Sequence, residues 1–252
     1  MISIQNEIDT YLAEQRDNQP PRSAISASNL GSCIRKLLLA HKGYEPIPFE
    51  ARTLRVFEAG NLFEDFALNI LEKKNMIAYR QLAVEYRGIT GTLDAVLIDP
   101  DTGELILIDT KSVHSKKFHY LNAKLDENYA MQLSLYWLGL QKAIKTPNKG
   151  IRKLILDVAE KLKSVPRLVY ISKDDLCIKE IGVPVNGWKA KIDTKIDLIE
   201  KWKDKEELPP PKEERNWECF SGKGSATKCW CKYILSCSRY QEYLANGGKE
   251  LE

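Results

Sequence analysis

Apolar positions change period several times along this chain, and each change marks an element. Residues 2–16 place apolar side chains at helical spacing, which predicts an amphipathic helix; the Pro- and Ser-rich stretch Asn18 to Ser28 reads as a connector. A second helix is predicted after Ser28, through CIRKLLLAHKG, with Gly43 as its C-terminal stop. A Pro-containing loop, Tyr44 to Pro48, precedes a longer helix near 52–74 with Phe57, Leu62, Phe66, Leu68 and Leu71 as its apolar positions. Runs rich in Leu, Ile and Val then predict strands at about 78–87, 91–98 and 104–111. The segment 127–144, ENYAMQLSLYWLGLQKAI, is a helix apolar over much of its surface, suited to packing on a sheet. Strands near 167–172 and 177–185 and an amphipathic helix at 188–204 follow, and Leu208-Pro209-Pro210-Pro211 sets off a cysteine-rich tail. No internal repeat is visible. The mixture of strands and helices predicts an α/β fold.

Within this pattern one hairpin carries candidate chemistry. The stretch GTLDAVLIDPDTGELILIDTKS, Gly91 to Ser112, sets two apolar runs around Asp99-Pro100-Asp101-Thr102-Gly103, which has the residues of a tight turn. If residues 99 and 104 close that turn, Asp94 falls directly opposite Asp109, and Lys111 lies on the same face of its strand as Asp109. Two carboxylates facing each other among apolar neighbours repel. A divalent cation between them removes that penalty, and the adjacent ammonium can steer or deprotonate a water. The set therefore suits metal-assisted phosphodiester hydrolysis.

Composition narrows the setting only a little. At 252 residues, 43% hydrophobic and 29% charged, the chain can bury a sizeable core, and no apolar run approaches a membrane span. The N-terminus, MISIQNEIDTYLAEQRDNQ, lacks the basic start and apolar stretch of a signal peptide, so a cytoplasmic protein with six reduced cysteines is expected. A net charge of +3 permits nucleic-acid binding without arguing for it. Locally, Arg35, Lys36, Lys42, Arg52 and Arg55 face only Glu45 and Glu50, and a second basic stretch runs from Lys111 to Lys124. Both are candidate phosphate contacts. His41, His114 and His119 fit no metal spacing together and read as surface or at most DNA-proximal side chains.

The order of these motifs resembles the PD-(D/E)XK nuclease superfamily, in particular its RecB-like branch with a cysteine-ligated iron–sulfur cluster, which includes CRISPR-associated adaptation exonucleases, the AddB nuclease domain and phage exonucleases. Gly60-Asn61-Leu62-Phe63-Glu64 fits its helix motif, Gly91-Thr92-Leu93-Asp94 its first acidic strand, and Asp109-Thr110-Lys111 its (D/E)-x-K strand. Gln132-Leu133-Ser134-Leu135-Tyr136 fits the Q-x-x-x-Y helix of the RecB-like branch. The resemblance implies Asp94 and Asp109 as the principal Mg²⁺ or Mn²⁺ ligands, joined by the carbonyl of Thr110, with Lys111 positioning or activating the attacking water. It implies that Glu64, where many relatives have His, contacts the metal directly or through water. Gln132 and Tyr136, four apart on one helical face, would hold Lys111 and the DNA backbone.

The cysteines form a second constellation. Cys33, in S-C-I-R-K, lies far from Cys219, Cys229, Cys231 and Cys237, and such thiolates suit an iron–sulfur cluster or zinc. Cys231 and Cys237 match the C-x₅-C half of the family pattern, but Lys228 stands where relatives have a further cysteine. Cys219, which follows Trp217 at the family's spacing, is the favoured substitute, with Cys229 as the alternative. The expected ligands of a 4Fe-4S cluster are therefore Cys33, Cys219, Cys231 and Cys237. Cys177 reads as a small core residue in a strand.

Taken with the resemblance, the expected fold is a restriction-endonuclease-like core, a central mixed sheet flanked by helices, about 50–205. An iron–sulfur subdomain from about 20–45 plus 212–245 would complete a single nuclease domain over 1–252. The implied activity is metal-dependent exonucleolytic hydrolysis of single-stranded DNA ends, in end processing, recombination, repair or CRISPR adaptation, with a helicase, recombinase or integrase as a possible partner. The open alternatives are a weakly catalytic DNA-binding or assembly subunit and a structure-specific endonuclease.

Overall fold

Strand order in the sheet follows chain order, so the hairpins that the sequence encodes locally become the core directly. The computed structural model describes residues 2–18, 25–121, 125–145, 153–162, 164–210, 219–221, 228–229 and 231–245. Its chain divides into two compact units. The first comprises Met1–Pro21, Ser26–Gly31 and Glu50–Asp193; the second comprises Arg22–Ile25, Ser32–Phe49 and Thr194–Glu252.

The first unit is built on a mixed five-stranded sheet in the order β1 (Ile77–Tyr86), β2 (Ile89–Ile98), β3 (Leu105–Val113), β4 (Arg167–Ser172) and β5 (Ile178–Gly182). Only the β3–β4 pair is parallel. Parallel neighbours need a long crossover, and the chain supplies it as α4 (Ser115–Tyr120), α5 (Glu127–Lys145) and α6 (Lys153–Lys161). β1 and β2 are joined by the two-residue turn Arg87-Gly88, both with positive φ, the geometry that matches strand twist. α1 (Ile4–Asp17) lies along α3 (Ala51–Lys73), where Arg55 pairs with Asp9.

The side chains explain which faces are covered. Leu68 of α3 is fully buried against Ala95, Ile106 and Ile108, with Leu71 at the margin. Phe57, Leu62 and Phe66, expected as apolar packing positions, are instead 47, 63 and 46% exposed. The helix seats only a narrow stripe on the sheet, and these side chains fall outside it. α5 meets the expectation of a largely buried helix, with Leu133, Leu135, Tyr136 and Leu140 inside. Its approach to β1 depends on Gly139, where an added Cβ would lie 2.5 Å from Val84 Cγ1 and 2.6 Å from the Glu85 carbonyl oxygen. Gly139→Ala is therefore expected to destabilise the protein by about 1–3 kcal/mol in denaturant unfolding, since backbone has to shift to admit the methyl group.

Most predicted elements stand within a few residues of their expected bounds. The second helix, α2 (Ile34–His41), begins later than Ser28 because the intervening residues turn back on themselves. Asn29 Oδ1 accepts from the Ser26 amide at 2.7 Å, and the Ala27 amide donates to the Thr90 carbonyl at 2.9 Å. Gly43, with φ 79, stands just beyond that helix as expected. β5 is shorter than predicted, and Cys177 precedes it in a turn. Cys177 is exposed rather than a core residue, because β5 is an edge strand and the residue before Cys177, Leu176, already has left-handed backbone. α4, α6 and α8 (Ser238–Ala245) were not legible as periodic runs. Among the described residues no helix is long and apolar enough to cross a membrane.

α7 (Asn186–Trp202) starts in the first unit and ends in the second. The second unit also holds α2, α8 and a two-residue ladder, β6 (Phe220–Ser221) with β7 (Lys228–Cys229). Leu39, Cys219, Cys231, Ile234, Cys237 and Tyr240 form its buried cluster, with Cys229 partly buried against it. Arg35 is buried, not a surface cation: Nη1 donates to the Pro209 carbonyl at 2.7 Å and Nη2 to Ser238 Oγ at 3.0 Å. Lys42 Nζ donates to the carbonyls of Lys203 and Lys205. With Arg55 paired to Asp9, three cations of the first basic stretch have partners within the protein. Lys124 and Trp217 lie outside the described residues.

Candidate active site

The hairpin register is the one the turn residues imply. The Asp99 amide donates to the Glu104 carbonyl at 2.9 Å, and Ala95 pairs with Ile108, Val96 with Leu107 and Leu97 with Ile106. The backbone ladder stops one pair short of Asp94 and Asp109. There a side chain takes over: Asp94 Oδ2 accepts from the Thr110 amide at 2.6 Å. β3 continues beyond this point in parallel pairing with β4, Asp109 beside Leu168. The two carboxylates thus stand where β3 exchanges one neighbour for another.

Both are deeply placed. Asp109 is fully buried and Asp94 is 9% exposed. Asp109 Oδ1 accepts from Gln132 Nε2 at 3.2 Å, while Oδ2 has the Lys111 ammonium 2.6 Å away as an ion pair without an aligned hydrogen bond. Burial, then the charge of Asp109, pushes the Asp94 carboxyl up to about 8, against the opposing pull of Lys111. Burial disfavours the Lys111 ammonium, but Asp109 and Asp94 outweigh it and lift its pKa above the usual lysine range. Glu64 on α3 is half-buried; burial raises its carboxyl, Lys111 opposes this and Asp109 reinforces it. Its Oε1 accepts from Gln81 Nε2 at 3.2 Å.

Gln132 and Tyr136 approach the carboxylates from α5. Gln132 Nε2 reaches Asp109, not Lys111, and also donates to the Tyr136 hydroxyl at 3.0 Å. That hydroxyl donates to the Thr92 carbonyl at 3.0 Å, and Tyr136 is 1% exposed, so it ties α5 to strand β2. Gly91 makes room for this contact: a Cβ there would stand 2.7 Å from Tyr136 Cε1. One aromatic neighbour escaped the sequence reading. The Lys111 ammonium lies 5.2 Å from the centroid of Tyr129, over the ring, and Lys117 lies 5.0 Å from the same ring. Tyr129 precedes Gln132 by three residues, a helical neighbour, which is the signal that could have revealed it.

Donor chemistry at the site suits a hard cation: the carboxylates of Asp94, Asp109 and Glu64 are all oxygen donors. The buried negative charge also calls for a cation, a need the Lys111 ammonium meets in part. As placed, no three His, Cys, Asp or Glu side chains among the described residues are gathered tightly enough to hold a metal ion. The histidines stay peripheral: His41 and His119 are exposed, and His114 caps α4 by accepting from the Lys116 amide at 3.2 Å.

A stability profile follows from Asp94. An acid held protonated in the fold but ionised in the unfolded chain adds most to stability below its unfolded value near 4. That contribution is lost as pH climbs toward the folded value. The metal-free protein is therefore expected to lose melting temperature between about pH 5 and pH 8, and Asp94→Asn should flatten the decline. A wild-type profile that rises over this interval would contradict the burial of that carboxyl.

In the second unit, burial pushes the Cys219 thiol up to about 12, with Cys231, Cys33, Cys237 and lastly Cys229 adding to the effect. Cys231 is pushed up to about 11, again chiefly by burial. The Cys229 Sγ instead donates to the Cys231 carbonyl at 3.4 Å.

A family model described as the PD-(D/E)XK nuclease superfamily matches residues 11–238. Among solved structures, one described as the crystal structure of SSO0001 is 18% identical, with a TM-score of 0.50, and the match covers 94% of this chain and 96% of that one. At that identity the likeness is one of fold. An alkaline exonuclease (LHK-Exo) from Laribacter hongkongensis is 12% identical, with a TM-score of 0.40 over 71% of this chain and 93% of its own. No curated protein matches this chain significantly.

Proposed function

We propose, since this chain belongs to the PD-(D/E)XK nuclease superfamily, that it hydrolyses DNA phosphodiester bonds with Mg²⁺ or Mn²⁺ and prefers single-stranded ends. The observation that carries this reading is the buried pair Asp94 and Asp109 with Lys111 beside it, Asp94 fastened to the Thr110 amide and Lys111 on Asp109. Asp94, Asp109, the Thr110 carbonyl and Glu64 would hold the metal, which when bound supplies charge stabilisation for the phosphate and acidifies the attacking water. The Lys111 ammonium, 18% exposed at its side chain, reaches the edge of the site and would orient that water by hydrogen bonding. Gln132 fixes the plane of the Asp109 carboxylate, and Tyr136 fixes Gln132 in turn. Such supporting bonds hold a ligand at the geometry the reaction needs.

Substrate preference is tested with end-labelled linear single- and double-stranded oligonucleotides and a circular single strand, each in Mg²⁺, Mn²⁺ or EDTA. The expected result is stepwise shortening of the linear single strand with metal, slow loss of the circle and none in EDTA. Rapid cutting of circles would replace the exonuclease reading with an endonuclease one.

Cys33 and the buried thiols Cys219, Cys231 and Cys237 are also read as the ligands of a 4Fe-4S cluster. Support comes from the burial of three of them in one cluster and from the proximity of Cys33, close enough to act electrostatically on Cys219 and Cys231. The Cys219 and Cys231 thiols, which burial holds protonated, would become thiolate ligands when a metal supplies the opposing charge.

A further inference from the structure

We propose that Gln81 is a positioning residue for the metal site, its kinked backbone serving to hold the Glu64 carboxylate in place. The inference rests on the nuclease reading and deepens it, because no motif in the sequence points to Gln81. Four non-glycine residues among those described have positive φ. Asn75 follows α3, while Arg87 and Leu176 sit in turns. Gln81, with φ 54, lies inside strand β1.

Its place in the ladder is specific. Arg80 pairs with Ala95 and Leu82 with Leu93, which sets Gln81 opposite Asp94. In a regular strand, consecutive side chains point to opposite faces. Here Arg80 and Gln81 both reach the same helix. Arg80 donates to Asp65, Asn69 and Glu72 on α3, and Gln81 Nε2 donates to Glu64 Oε1 at 3.2 Å. The left-handed residue is what lets two neighbours grip one helix. A non-glycine side chain in that conformation is unfavourable by itself, and such residues concentrate at functional sites. The amide donor on Glu64 fixes one carboxylate oxygen and leaves the other for a metal or its water.

The test is a double-mutant cycle on manganese binding, read without DNA as loss of the free Mn²⁺ paramagnetic signal. Gln81→Gly keeps the backbone conformation at ease and removes only the side chain. It should weaken Mn²⁺ binding roughly tenfold, the lower end for a residue supporting a ligand, with no fall in melting temperature. In a Glu64→Ala background the same change should cost nothing further. Unchanged affinity in Gln81→Gly, or the same tenfold loss without Glu64, would overturn the proposal. Asp109→Asn separates the two readings. If it abolishes Mn²⁺ binding while Gln81→Gly leaves it intact, only the role of Gln81 fails; if wild type and Asp109→Asn alike fail to bind, the metal site itself is refuted.

Discussion

Asp109→Asn is expected to lower metal-dependent DNA cleavage by about 10³-fold or more, and Lys111→Ala by about 10²–10⁴-fold, with DNA affinity nearly unchanged. The asparagine keeps the shape of the buried side chain and an oxygen for Gln132 Nε2. What it removes is the charge that faces Lys111 and would face the metal. Replacing Lys111 instead removes the ammonium that opposes burial at Asp94 and Asp109, so the pair would hold its proton more tightly still and offer less charge to a metal. Both variants are judged on single-turnover cleavage of linear DNA, beside a melting curve that shows they fold. Equal cleavage by wild type and both variants, after thorough purification, would sink the active-site assignment.

The second large effect concerns the cysteines. Protein purified anaerobically should be brown and carry about four iron atoms per chain, as a 4Fe-4S centre requires. Cys219→Ala should bleach it and lower its stability, because the thiol is buried in the core of the second unit with Leu39, Cys231 and Cys237. Cys229→Ala should do neither. That residue is only partly buried and turns its Sγ to the Cys231 carbonyl. Bleaching by Cys229→Ala alone would move the ligand, and a colourless protein carrying zinc would refute the cluster.

The hairpin shows what the sequence determined by itself. Apolar runs of strand length fix β2 and β3, and the Asp-Pro-Asp-Thr-Gly turn fixes their register to the residue, since slipping by one would turn every Leu and Ile to the other face. With that register, the opposition of Asp94 and Asp109 needed no tertiary information. Gln132 and Tyr136 were legible as neighbours for the same reason, because helical spacing is local. Their partners were not. Gln132 on Asp109, and Tyr136 on the Thr92 carbonyl, depend on how α5 lies on the sheet, which Gly139 and Gly91 permit by close approach.

Charge and exposure were decided by the tertiary structure alone. Arg35 and Arg55 look like surface cations in the chain, yet one is buried on Pro209 and Ser238 and the other is paired with Asp9. Phe57, Leu62 and Phe66 look like core positions, yet α3 turns them outward because the sheet offers it only the Leu68 stripe. Cys177 ends exposed because an edge strand has no second neighbour to cover the turn before it. The left-handed backbone at Gln81 leaves no mark in composition or period at all. Period and turn chemistry act between near neighbours in the chain, so they survive in the sequence; burial, pairing and strain arise between distant ones, and only the assembled sheet and helices settle them.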